Sequence, residues 1–174
     1  KELTNYEDDL TQYNVTNRII NYYDETKEIA AINKEFELRE QDVLFNYNSS
    51  KAMLNELEKQ MDSNIKRVIH NVQLVDKINQ ASDLTGKITQ METISTSSED
   101  SGRQLLEYKN KLLQTRRDLS EISNQYVAGQ YTKEGLNKGT IVEQWLDQLL
   151  LFEKAKAELK IVQKSRNELN AKYL

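Results

Sequence analysis

The segment LLEYKNKLLQTRRDLSEISNQY, residues 105–126, decides how this chain folds. Its apolar and small side chains fall at Leu105, Tyr108, Leu112, Thr115, Leu119, Ile122 and Tyr126, in alternating steps of three and four. A helix turns once per roughly 3.6 residues, so that spacing gathers them onto one narrow ribbon, the seam of a coiled coil. A ribbon of that width is covered by another helix and fills no deep core. The same spacing recurs upstream, at Leu3, Tyr6, Leu10 and Tyr13, at Ile29, Ile32 and Phe36, at Leu54, Leu57, Met61, Ile65 and Val68, and at Leu84, Ile88 and Met91.

What interrupts the ribbons sets the topology. There is no proline in 174 residues, which removes the commonest helix breaker. The run STSSEDSG, 95–102, is rich in side chains that bond their own backbone, and it reads as a turn. Ser101 and Gln104 then have capping-box spacing, which starts a helix near 102. Gly129, Gly135 and Gly139 lie close together in NQYVAGQYTKEGLNKGT, 124–140, beside Lys138 and Thr140. A phosphate loop needs the order glycine, lysine, Ser/Thr after a buried strand, and no stretch reads as a strand, so these glycines punctuate helices. Thr140 and Glu143 form a second capping box, and Trp145, Leu149, Phe152, Leu159, Val162, Leu169 and Tyr173 continue as a stripe. The expected fold is all-α: a long antiparallel coiled-coil hairpin in which one helix over about 3–94, ~135 Å if unbroken, is packed by two shorter helices over about 102–128 and 141–174. The tip lies near 95–102, a break near 128–140, and the weak points of the first helix at 46–50 and 79–87. A three-helix bundle, with the first helix broken near Asn48, is the alternative.

Composition fits long helices: 30% charged, 37% hydrophobic and a mean hydropathy of -0.78. Without cysteine there is neither a disulfide framework nor a thiolate metal site. No apolar run approaches the ~18 residues that cross a bilayer. Residues 1–60 carry 7 Lys+Arg against 13 Asp+Glu, whereas residues 101–174 carry 13 against 9. An acidic first part and a basic last part favour antiparallel pairing, and the net charge of -4 argues against nucleic acid as a partner. The pattern begins and ends mid-helix, so the chain is expected to be one elongated domain, 1–174, cut from a larger protein, with any membrane anchor in segments outside it.

Few constellations suggest chemistry. His70 is the single histidine, which leaves a histidine metal site or relay without its other members. Glu7, Asp8 and Asp9 complement a helix N-terminus, with Thr4 and Glu7 as a third capping box, better than they hold a cation. Arg103, Lys109, Arg116 and Arg117 make the second helix basic and are the candidate contacts to an anionic polymer or acidic partner, although charges beside a seam ordinarily face the neighbouring helix. Tyr6, Tyr13, Tyr108, Tyr126 and Tyr173 fit the stripes as packing residues. No nucleophile, base and orienter assemble, so neither an enzyme nor a cofactor is expected, and no metal is called for.

Three stretches resemble a known family. LTQYNVTNRIINYYDETKEIAAINKEF (10–36), with Tyr13, Asn17 and Asp24-Glu25-Thr26, followed by SSKAMLNELEKQM (49–61), resembles the rising helix of bacterial polysaccharide co-polymerases, the Wzz or chain-length-determinant family. LLEYKNKLLQTRRDLSEISNQYVAGQYTKE (105–134) is similar to the family's returning helix, and EQWLDQLLLFEKAKAELKIVQKSRNELNAKYL (143–174) to the segment leading back toward the membrane. The resemblance implies a periplasmic coiled-coil arm of an inner-membrane protein that assembles into homo-oligomers through helical faces. Such an arm acts by geometry on polysaccharide chain length or export, with the polysaccharide or the export machinery as its further partner. Two alternatives stand beside it. QYVAGQYTKEGLNKGTIVEQWLDQLL (125–150) is also similar to the entry of a channel helix in efflux or secretion ducts, and a generic scaffold coiled coil has the same stripes.

Overall fold

The structure, a computed structural model, describes residues 2–93 and 98–173, with the backbone alone at 2–4, 6, 17 and 19–23. The chain is all-α: α1 spans Glu2–Lys59, α2 Ser63–Ile69, α3 Val72–Thr93, α4 Glu99–Val127 and α5 Lys138–Tyr173. Among the described residues the only β pairing is an isolated bridge between Tyr131 and Asn137.

The expected first helix is not continuous, and it breaks outside both of the weak points expected at 46–50 and 79–87. Gln60 N and Met61 N donate to Leu57 O and Glu58 O at 3.0 and 3.2 Å, tightening the last turn of α1. Asp62 then leaves the helix at φ -82°, ψ 178°, and its carboxylate accepts from Ile65 N at 2.9 Å to cap α2. One short helix later His70 ends α2, and Asn71 Oδ1 accepts from Gln73 N at 2.9 Å while its carbonyl takes Val75 N, which starts α3. The stretches expected to be weak hold. Ser50 Oγ donates back to Asn46 O at 2.8 Å, and Thr85, Thr89 and Thr93 each donate to the carbonyl four residues before, at 2.7 Å, so their hydroxyls are satisfied inside their own helices. Asn48 is helical, which removes the break that the three-helix alternative required.

Two helix starts also move. Ser98, not Ser101, caps α4: its Oγ accepts from Ser101 N at 3.2 Å, which puts Glu99 and Asp100 in the first turn, where carboxylates oppose the helix dipole. Asn137, not Thr140, precedes α5, its Oδ1 accepting from Thr140 N at 3.2 Å. Thr4 already lies inside α1. Of the expected tip at 95–102, residues 95–97 lie outside the described residues.

The helices cluster into two compact units, residues 40–163 and residues 1–39 with 164–174. In the larger unit each neighbouring pair of long helical segments runs antiparallel. Lys77 meets Asp118 and Glu92 meets Lys109 between α3 and α4. Ser120 meets Glu143 and Arg116 meets Asp147 between α4 and α5. Glu58 bonds Trp145 and Tyr47 stacks on Phe152 between α1 and α5. Thus α4 and α5 lie side by side, so the two later helices pack on each other as well as on their other neighbours. The arrangement follows from α5: Ile141, Val142, Trp145 and Leu146 are all buried, so this part of the helix needs neighbours on more than one side. One core joins Leu54, Leu57 and Met61 of α1 and its end to Ile65, Val68 and Ile69 of α2, Leu74 and Ala81 of α3, Leu119 and Val127 of α4, and that face of α5.

The connection between α4 and α5 answers for two glycines. Ala128 at φ -56°, ψ 128° and Gly129 at φ 70° form a type II turn closed by Gln130 N on Val127 O at 3.1 Å, a geometry that needs positive φ at its third residue. Gly135, at φ 83°, closes the next turn by donating to Thr132 O at 2.9 Å.

In the smaller unit the half-buried residues of α1 are Ile29, Asn33, Phe36 and Glu37, and those of α5 are Ser165, Arg166, Leu169 and Asn170. Every described side chain of α1 from 5 to 28 is exposed, including Leu10, Tyr13 and Val15, and the first half-buried one is Ile29.

Candidate functional site

The four basic residues singled out in the sequence separate into two kinds. Arg116 is structural. Its side chain is 19% exposed, with Nη2 at 2.8 Å from Glu143 Oε2 and 2.7 Å from Asp147 Oδ1, and Nη1 donating to Ser120 Oγ at 2.7 Å. Burial alone would lower its pKa, but the hydrogen bonds to Asp147 and Glu143 outweigh that and hold it above the ordinary guanidinium value. Glu143 Oε2 also accepts from Ser120 Oγ at 3.1 Å, while its other oxygen, Oε1, is buried with no hydrogen-bond partner among the described residues. Lys109 is likewise committed, to Glu92 of α3 at 2.9 Å. Both cations tie α4 to neighbouring helices, as charges flanking a seam do.

Arg103 and Arg117 are the free pair. Arg103 has only a long i,i+4 contact with Glu99 at 3.7 Å, both side chains largely exposed, and Arg117 has no ion pair among the described residues. They lie two heptads apart on the outer face of α4, so the structure does not bring the four candidates together into one basic site.

The tyrosines divide in the same way. Tyr13, Tyr126 and Tyr173, expected in the seams, are exposed. At the end of α4 it is Val127 that is fully buried, and Tyr126 stands at the rim, where its hydroxyl accepts from Asn71 Nδ2 at 3.3 Å. A phenol keeps its polar tip in water when an aliphatic neighbour fills the same turn.

A concavity of about 810 Å³ opens where α1 ends and α2 reverses the chain. Met61, Ile69, Ile78, Trp145 and Leu149 give it an apolar floor, while Lys59, Lys66 and exposed His70 stand at its edge. The indole N–H of Trp145 donates to Glu58 Oε1 at 3.3 Å. Sequence reasoning placed Trp145 in a stripe and missed Glu58; the only signal was that a buried indole N–H needs an acceptor. A second groove, about 580 Å³, runs between α3, α4 and α5 over Ile88, Leu112, Leu113 and Leu150, with Lys109 and Arg116 at its polar margin.

A third polar tie sits beside the first concavity. Lys138, the buried first residue of α5, reaches Asp62 at 2.8 Å, so the cap of α2 is also the anchor of α5. The hydrogen bond from Lys138, followed by that from Ile65 N, holds the Asp62 carboxyl below its ordinary value. Asp118 is lowered as well, first by the Gln114 amide and then by Lys77.

Among the described residues no three His, Asp or Glu converge as metal ligands. His70 is exposed, and among the described residues it has no ion pair with a carboxylate, while Glu58 at the same concavity accepts the Trp145 indole N–H. What the arrangement does is hold helices in register and present exposed helix faces. Among the described residues no helix is long and apolar enough to cross a membrane. No family model, no curated protein and no solved structure matches the chain.

Proposed function

We propose that this chain is a non-enzymatic assembly module, the periplasmic helical arm of a bacterial inner-membrane protein that sets the length of a polysaccharide or assists its export. It acts by associating with further copies through helix faces. The resemblance of residues 10–36, 105–134 and 143–174 to chain-length determinants supports the system, and the surface supports the mode of action. The observation that carries the mode is that large apolar side chains recur one heptad apart on outer faces. Leu106 and Leu113 of α4 are 60% and 53% exposed. Isolated exposed leucines are ordinary, but repeats of seven on one helix face are what a partner helix reads. The cations that would otherwise suggest polymer binding, Lys109 and Arg116, are spent on α3 and α5.

An in-frame deletion of the coding sequence for residues 1–174 in the source bacterium tests the proposal. The expected result is surface polysaccharide of shifted chain length, or none exported, read on a sizing gel. Polysaccharide of unchanged length and amount overturns it.

A further inference from the structure

We propose that the concavity where α1, α2, α3 and α5 meet is a binding site for a small free amphiphile, an apolar chain or ring that ends in one carboxylate. The inference goes beyond the assembly reading above and stands or falls independently of it.

The floor of this concavity is apolar. Met61, Ile69 and Trp145 are buried and Ile78 and Leu149 half-buried, yet all of them border the same opening, which at about 810 Å³ has the size of a small-molecule site. Its walls are short. The last turn of α1 forms one side, while α2 lends Lys66 and Ile69, α3 Val75 and Ile78, and α5 Trp145 and Leu149, about one helical turn from each. A partner helix reads several successive turns of one groove, so single turns that meet at a chain reversal suit a compact ligand instead. The groove between α3, α4 and α5 is the contrast: α4 lends it about two turns, from Lys109 to Arg116, and both of those cations are already paired, with Glu92 and Asp147.

Charge selects the head group. Lys59 and Lys66 stand exposed at the edge, and His70 adds a ring nitrogen there. Lys66 has no ion pair among the described residues, and Lys59 meets Glu56 only at 3.9 Å, both in solvent, where such a contact contributes little. Glu58 is the one acid among the residues lining the opening, and its Oε1 accepts the indole N–H of Trp145 at 3.3 Å, which ties it to the wall. Two lysines against one engaged carboxylate leave a net positive edge above an apolar floor. Long lysine stems let the ammonium reach a carboxylate held at the water boundary while the apolar body lies on the floor.

Trp145 is the only tryptophan in the sequence, so its fluorescence reports on this site. Titration of the 174-residue chain with monomeric decanoate is expected to change that emission and to saturate at about 10–100 μM. Hexanoate, with a chain about four methylenes shorter, should bind at least about thirtyfold more weakly. Decyltrimethylammonium, which has the same chain and the opposite charge, should give no saturable change over that range, and neither should vesicles of phosphatidylglycerol. Lys59→Gln combined with Lys66→Gln should weaken decanoate binding about tenfold, whereas Lys160→Gln, at an exposed position of α5 outside the concavity, should stay within about twofold of wild type. Circular dichroism melts verify that both variants fold. No saturable change up to about 1 mM decanoate, an equal response to decyltrimethylammonium, or wild-type affinity in the double lysine variant overturns the site. A response to the vesicles as strong as that to decanoate overturns it as well, since the lysines then read a membrane surface.

Discussion

Arg116 shows how one side chain can look like a ligand contact in a sequence and act as a rivet in the fold. Its neighbour Arg117 differs from it by a rotation of about 100° around the helix, which takes it from the α5 side to solvent. Arg116→Ala would leave Glu143 and Asp147 facing each other without a cation, and Glu143 already holds one oxygen buried without a partner among the described residues. Urea unfolding should show a loss of about 2–4 kcal/mol, against ~0.5 or less for Arg117→Ala measured at concentrations that favour the monomer. Asp62 gives a pH-dependent counterpart. Its folded carboxyl sits below the ordinary 3.8, so its contribution is complete above that value and disappears as pH falls through the folded one. The stability difference between wild type and Asp62→Asn should therefore be present at pH 7 and shrink toward zero on acidification below 3.8; a difference that grows in acid would show that Lys138 is not its partner.

At the scale of the element, the periodicity of α4 was legible because its inner positions, Thr115 and Leu119, are buried where the alternating steps place them. The breaks around α2 were not, for a definite reason. Leu57, Met61, Ile65 and Val68 keep helical spacing straight through the first break, since all four point into the same core whether or not the helix is continuous. The caps that make the breaks, Asp62 and Asn71, lie on the polar side of that pattern, where their residue types are unremarkable. The side-by-side packing of α5 was hidden in turn because its apolar residues at 141, 142, 145 and 146 cover more than the single stripe the reading followed. Of the candidate site, the basic character of α4 could be read, but which cations are tied up depends on acidic partners on α3 and α5, far away in the chain. Element-level predictions follow from burial and dihedral angle. Leu119→Ala, at a fully buried position, should cost about 2–5 kcal/mol, and Gly135→Ala, at φ 83°, about 1–2, while exposed Leu136→Ala should fall within ~0.5 on the same denaturation curves.

Across the whole molecule, burial is unevenly distributed along α1. The helix is continuous from Glu2 to Lys59, yet all of its described side chains from 5 to 28 are exposed, whereas Val43, Ser50, Leu54 and Leu57 are buried. Helical hydrogen bonds alone give marginal stability in water, because nucleation is costly and each added residue gains little. The amides of 5–28 are therefore predicted to exchange with solvent by local opening, well below the free energy of global unfolding, while those of 50–59 and 119–127 exchange only when the larger unit unfolds. Native-state hydrogen exchange read by mass spectrometry separates the cases, since peptides from 5–28 should label orders of magnitude sooner at low protein concentration. Equal protection of both regions in a dilute, monomeric sample would show that the first helix is held by something other than side-chain burial, and the argument from exposed faces to assembly would then lose its physical basis. If protection of 5–28 instead rises with concentration, in step with self-association, this stretch with its exposed Leu10 and Tyr13 belongs to an assembly surface.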